Sequence, residues 1–233
     1  MTRLHRACAV ALTLLGISLP ARLLAQNPIR HGGAACRAVA LTFDLCPVRQ
    51  GGYDVALVDY LREHQVEATF FASGQWLATH DADARRLLAH AGFELGTHGD
   101  EHRRLTRLDA DGQRREIGGA LDRLAALDGA PHPLFRPPFG AFDPTTLRVA
   151  DALGLRTVLW SVVSGDPDPA LSADAIVNDI SARVKAGSIV IFHANGRGWH
   201  TREVVERFVT GALARKGLAT MTVSHLLAAC PAS

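Results

Sequence analysis

The stretch Ala38-Val39-Ala40-Leu41-Thr42-Phe43-Asp44-Leu45-Cys46 decides the fold. Ala38–Phe43 is an apolar run with no polar stripe, the mark of a strand covered on both faces, as in a parallel sheet under helices. A carboxylate, Asp44, follows directly where the run ends. The same layout recurs along the chain. Further strands are expected at Val66–Ala72, Phe93–Thr97, Leu134–Arg136, Leu155–Val162, Ser188–Phe192 and Leu218–Val223. Helical stretches fall between them, at Asp54–His64, Asp81–Ala91, Asp109–Leu127, Pro144–Leu153, Ser172–Lys185 and Thr201–Arg215, with Ser224–Ala229 closing the chain. Several open on Asp, Ser or Thr as N-caps, and Gly92, Gly154, Gly187 and Gly217 follow four of them as stops. Regular strand–helix alternation predicts an α/β protein, a distorted (β/α) barrel of about seven parallel strands, with an open doubly wound sheet as the alternative.

Composition narrows the class. The chain has 233 residues, 48% of them apolar and 21% charged, which are globular values and exclude a disordered chain. A formal charge of 25 − 23 = +2 is no footprint for nucleic acid. The N-terminus carries Arg3 and Arg6 ahead of the apolar run Ala7–Leu19, then Leu23-Leu24-Ala25. A basic start, a short apolar core and a small residue describe a secretory signal peptide over 1–25. The rest, 26–233, reads as a single domain without an integral membrane segment, exported to the periplasm or the extracellular space. Without residues 1–25 the charge becomes 22 − 23 = −1, because Arg3, Arg6 and Arg22 leave with them.

The polar residues that look chemical fall just after strand ends, where barrels of this kind carry their sites. These are Asp44, His98 and His102, Arg136, Asp166 and His193. His98 and His102 at i and i+4 are read as one face of a helical turn able to share a metal. Three protein ligands and an open position make a hydrolytic metal site, so a third ligand is expected from another strand end. Cys46 reads as a soft ligand, a structural thiol or a small packed residue. In Phe135-Arg136-Pro137-Pro138-Phe139-Gly140 the prolines fix the backbone, so Arg136 is held where it can keep Asp44 ionised.

These residues resemble the motifs of the polysaccharide deacetylases with the NodB-homology fold, metal-dependent carbohydrate esterases. Five motifs stand in order from about Val39 to Leu227: Thr42-Phe43-Asp44-Leu45, His98 to His102, Arg136-Pro137-Pro138-Phe139-Gly140, Trp160 to Pro167, and Ile191-Phe192-His193. The resemblance implies removal of acetyl groups from an N-acetylated polysaccharide or oligosaccharide. It makes Asp44 the general base, His98 and His102 metal ligands, Arg136 the partner that orients Asp44, His193 the general acid and Asp166 its tuning carboxylate. It places Ile191 against the acetyl methyl and the Phe139 or Gly140 backbone N–H at the oxyanion. The cofactor is one divalent transition metal, Zn first, with Co, Ni or Fe also fitting two His and a carboxylate.

Two positions depart from the family pattern. Leu45 stands where the family has a second, metal-binding Asp, and Pro167 stands where it usually has Trp. For the missing ligand the reading selects Asp54, on the glycine-bearing loop Gly51-Gly52-Tyr53-Asp54, with Asp100 and Cys46 as further candidates and a helix N-cap as the other role for Asp54. Asn195, Arg197 and Trp199, in the loop after His193, are expected to meet substrate. Leu45 is also the argument for a rival, a catalytically inactive glycan-binding barrel of the cell envelope, and an O-acetyl or N-formyl sugar would suit the same chemistry. Cys36 and Cys230 are expected to bridge at the bottom of the barrel, leaving Cys46 free at the top.

Overall fold

The computed structural model describes residues 27–47 and 52–231. The leader read over 1–25 lies outside these residues. Eight strands form one sheet: β1 (Ala38–Leu45), β2 (Ala68–Ala72), β3 (Phe93–Thr97), β4 (Leu134–Phe135), β5 (Arg156–Thr157), β6 (Val162–Val163), β7 (Ile189–His193) and β8 (Ala219–Met221). Seven of them run in the order β5-β4-β3-β2-β1-β7-β6, and β8 pairs with the lower part of β1. Every pairing between these strands is parallel. The architecture is the expected α/β barrel, curled and incomplete.

Alternation along β1 sorts its side chains into two layers. Val39, Leu41, Phe43 and Leu45 join the outer apolar layer, packed with residues of the surrounding helices such as Leu57, Leu61, Trp76 and Phe208. Ala38 and Ala40 point into the barrel, where they meet Phe71, Ile189 and Leu226. Phe43 anchors the outer layer, its ring 5.4 Å from Phe70 and 5.6 Å from Phe192. The outer shell comprises α1 (Val55–Glu63), α2 (Gly74–Thr79), α3 (Asp81–Leu88), α4 (Ala110–Asp128), α5 (Pro144–Ala152), α6 (Ala173–Arg183), α7 (Thr201–Arg207) and α8 (Ala214–Lys216), while α9 (Val223–Ala229) packs on the inner cluster. The caps are the expected ones at α1, α4 and α6, where Asp54, Asp109 and Ser172 accept from backbone N–H groups; α5, expected to open at Pro144, is capped by Asp143 just before it.

Three details differ from the sequence reading. The strand expected over Leu155–Val162 divides into β5 and β6. Between them the segment around Ile29 enters the seam: the Ile29 N–H donates to the Thr157 carbonyl at 2.8 Å, and the Leu159 N–H donates to the Ile29 carbonyl at 2.7 Å. Helix α2 was not expected, and it is short; Ser73 caps it and Trp76 anchors it in the core. The stretch expected as one helix to Arg215 passes through a π turn at Phe208–Leu213. A disulfide joins Cys36 to Cys230 with Cα atoms 5.6 Å apart, and Cys46 is free and buried. No helix among the described residues is long and apolar enough to cross a membrane.

Candidate active site

The inward side chains at the C-terminal ends of β1, β3, β4 and β7 converge on one cleft of about 210 Å³. Asp44, next to last in β1, stands beside His193, its register partner on β7. Arg136 follows β4 and is fully buried. Its guanidinium donates to Asp44 Oδ1 at 2.8 Å, to Thr42 Oγ1 at 2.9 Å and to the Leu159 carbonyl at 3.3 Å, and lies 4.0 Å over the Phe71 ring. Burial alone would push the Asp44 carboxyl up, but His98, Arg136 and His193 outweigh it and hold the group below the usual carboxylate range. Asp44 is thus an ionised base in a buried setting at the floor of the cleft.

Asp166 forms the second pair. Its carboxylate accepts from Ser164 Oγ (2.8 Å), Thr201 Oγ1 (2.7 Å), the His193 N–H (2.8 Å) and His193 Nδ1–H (3.0 Å). With Nδ1 committed to Asp166, Nε2 is the ring nitrogen left to exchange a proton. Ser164 and Thr201 escaped the sequence reading, since neither type signals chemistry alone.

His98 and His102 meet with ring centroids 4.8 Å apart, but not on a helical turn. The segment is a loop, with Gly99 at φ 71° and His102 at φ 59°. A non-glycine residue in the left-handed region is costly and is held only by its surroundings. Here α4 supplies them: Glu116 accepts from the Glu101 N–H at 3.1 Å and the Arg103 N–H at 2.8 Å, bracketing His102. His98 Nδ1–H donates to the Arg136 carbonyl at 2.8 Å, which leaves a lone pair on Nε2. That nitrogen faces Asp44 Oδ2 at 3.4 Å. Burial lowers the pKa of His98 in spite of Asp44, and burial together with His98 takes His102 down to about 3. A neutral imidazole lone pair opposite an ionised carboxylate calls for a cation, and the donor set fits a divalent transition metal.

The remaining expectations divide. Cys46, His98 and His102 offer ligand atoms that all lie within 4.8 Å of one another. Asp54 does not join them. Its Oδ1 accepts from the Leu57 N–H at 3.0 Å, so its carboxylate is engaged as the cap of α1, and it borders a separate hollow with Trp199 and His200. Asp100 is turned toward Arg123, at 2.8 Å. Leu45 lies in the outer apolar layer.

Ile191, Phe139, Gly140, Pro167 and Arg197 line the cleft. Gly140, at φ 63°, lies against the Trp160 ring, which a Cβ would meet at 2.7 Å. Its N–H donates to the Pro137 carbonyl, so Phe139 keeps the available N–H of the two candidates. Phe139 sits at φ 61° with its ring exposed, between His102 and Arg104. Arg197 is exposed and has no carboxylate within ion-pair distance among the described residues. Trp199 is exposed but borders the neighbouring hollow. Asn195 departs from its expected substrate contact: it is buried, outside the cleft lining, and its amide donates to the Cys46 carbonyl at 2.7 Å. Burial and Asp44 push the Cys46 thiol up, far from a free thiolate.

Comparison with known proteins points to one family. The family model described as polysaccharide deacetylase matches residues 31–158. A chitooligosaccharide deacetylase from Rhizobium leguminosarum is 32% identical over 76% of this chain and 76% of its own. A peptidoglycan-N-acetylglucosamine deacetylase from Bacillus cereus is 31% identical over 69% of this chain, which spans 57% of that protein. Among solved structures, a CE4 family pseudoenzyme from Bacillus anthracis superposes with TM-score 0.77 at 25% identity, covering 86% of this chain and 69% of that one. A mutant of that pseudoenzyme is described as having restored enzymatic activity.

Proposed function

The chain belongs to the polysaccharide deacetylase family, and from that premise we propose that it is a metal-dependent hydrolase removing acetyl groups from an N-acetylated glycan: peptidoglycan, a chitin-like oligomer or an exopolysaccharide. One observation carries the reading. A buried Asp44–Arg136 pair and a buried Asp166 bonded to His193 open onto the same cleft as His98 and His102. Binding a sugar requires no such set; hydrolysing an amide does.

Each residue has a step it can perform. Asp44, oriented by Arg136, accepts the proton of the attacking water. The Phe139 N–H donates to the oxygen that gains charge at the acyl carbon. His193 gives the proton from Nε2 to the leaving amine, and Asp166 balances the charge on the ring. Ile191 receives the acetyl methyl on an apolar wall of the cleft. His98 and His102 are ligands for a divalent metal, Zn first, which when bound supplies the Lewis acidity that activates water and polarises the acyl oxygen. Arg197, exposed at the rim, suits an anionic group on the glycan. Pro167, in place of a bulkier wall, widens the groove on that side.

The leader over residues 1–25 directs the chain out of the cytoplasm, so its substrate is met at the cell envelope or beyond. The test is acetate release from N-acetylglucosamine oligomers and from peptidoglycan by the Zn-loaded protein, beside Asp44→Asn and His193→Ala. Release lost in both variants supports the reading. Retention of glycan binding with no release, in all three proteins and on O-acetyl and N-formyl sugars as well, would favour the rival that Leu45 suggests: a barrel that binds glycan without cleaving it.

A further inference from the structure

We infer that Cys46 is the third protein ligand of this site, so that the chain builds a Cys–His–His centre where its family pattern has a carboxylate at position 45. The inference rests on the reading that a divalent metal is held by His98 and His102. Strand geometry is its first support. Alternation sends Leu45 outward into the apolar layer and returns position 46 to the side of Asp44, facing the cleft. In this chain Leu45 belongs to the outer apolar cluster, whereas the thiol at position 46 sits beside the histidines.

The second support is distance. The Cys46 sulfur and one nitrogen of each histidine lie within 4.8 Å of one another. Tetrahedral binding, with Zn–S about 2.3 Å and Zn–N about 2.0–2.1 Å, requires separations of about 3.5 Å, so side-chain rotations of about an ångström close the set. The third support is the backbone on either side of the residue. The Leu45 carbonyl accepts from the Ser73 N–H at 3.1 Å and Ser73 Oγ at 3.2 Å, and the Cys46 carbonyl accepts from Asn195 at 2.7 Å. The peptide groups carrying the thiol are therefore clamped from two distant parts of the chain, as a ligand position requires.

Ligation is a simple exchange: the sulfur–metal bond forms, the thiol proton passes to solvent, and no electron changes hands. A thiolate with two imidazoles suits Zn or Co and disfavours Mg, Ca and Mn, which take oxygen ligands.

The experiment titrates the metal-stripped full chain, disulfide intact, with Co(II), and measures Zn affinity by competition with a chelator. Expected are one equivalent of Co(II) with a thiolate-to-cobalt charge-transfer band in the near ultraviolet, loss of that band in Cys46→Ser, and Zn affinity at least tenfold weaker there. Cys46→Asp should recover affinity without the band. Stoichiometric Co(II) without the band in the wild-type chain overturns the inference, whether or not Cys46→Ser folds, and so does unchanged Zn affinity in a folded Cys46→Ser. Failure to bind any metal overturns both this and the metal-dependent function. A Cys46-dependent band in a protein that releases no acetate would keep the centre and remove the deacetylase.

Discussion

At the scale of single residues, the site is held by side chains that never meet substrate. Arg136 is the clearest case, because its guanidinium is wholly buried and divides its donors among Asp44, Thr42 and the Leu159 carbonyl. A lysine offers a point charge and cannot make that fork. Arg136→Ala should cost about 3–5 kcal/mol in urea unfolding, since Asp44 is left as an unpaired buried charge. Glu116 acts at one remove. Glu116→Ala removes the acceptor for the N–H groups of Glu101 and Arg103 and frees the strained backbone of His102. Zn affinity should fall about 10–100-fold, as for the loss of an outer-shell partner. Glu116→Gln keeps an acceptor oxygen and should bind within a few-fold of wild type; equal losses in both variants would point to the charge rather than the hydrogen bonds.

At the scale of elements, the two faces of β1 set the expectation for restoring a carboxylate at position 45. Leu45 belongs to the face packed under the helices. Leu45→Asp should therefore cost about 3–5 kcal/mol of stability, through lost packing and a desolvated carboxylate, and should not raise metal affinity. Rising affinity with unchanged stability would mean that the end of β1 can turn over. Helix α5 offers a test of pH dependence. Asp143 caps it and forms a reciprocal capping box with Thr146. Burial opposes the charged form, but hydrogen bonds from Thr146 and Gln113 prevail and lower its pKa. The stability that this charge contributes is present above the unfolded Asp value of about 3.9 and is lost as pH falls through the lower folded value. Asp143→Ala should cost about 1 kcal/mol at neutral pH, and the difference from wild type should shrink below pH about 4, measured as unfolding free energy against pH.

At the scale of the molecule, the barrel is an open curl whose seam is filled from outside the sheet. Ile29 bonds across Thr157 and Leu159, and Gly33 donates to the Cys230 carbonyl at 2.7 Å. The Cys36–Cys230 bridge therefore fastens the segment that fills the gap, as well as joining residues 194 apart in sequence. Reduction should lower stability by about 2–5 kcal/mol. The melting temperature should fall by about 2–4 °C for each kcal/mol in a chain of this size. The site, at the opposite end of the strands, should keep its metal until the fold itself opens; metal lost at reductant levels that leave the melting transition in place would argue that the two ends are coupled.

Much of the protein is legible in its sequence because parallel strands deliver their ends to one rim. Apolar runs closed by polar residues were enough to place Asp44, His98, Arg136 and His193 together, and the caps of α1, α4 and α6 follow from residue type at helix starts. Local pattern fails where the deciding contact comes from far along the chain. The split of β5 from β6 depends on Ile29, and the short α2 on the burial of Trp76. The pairing of His98 with His102 depends on a loop held by Glu116, not on a helical period. Above all, sequence spacing left Asp54, Asp100 and Cys46 as rival partners for the histidines. Tertiary structure separates them: α1 engages Asp54 as its cap, Arg123 draws Asp100 away, and Asn195, 149 residues distant, holds the Cys46 backbone beside the cleft. Local hydrogen bonding and side-chain period are properties of neighbours in sequence; the company a ligand keeps is a property of the packed fold.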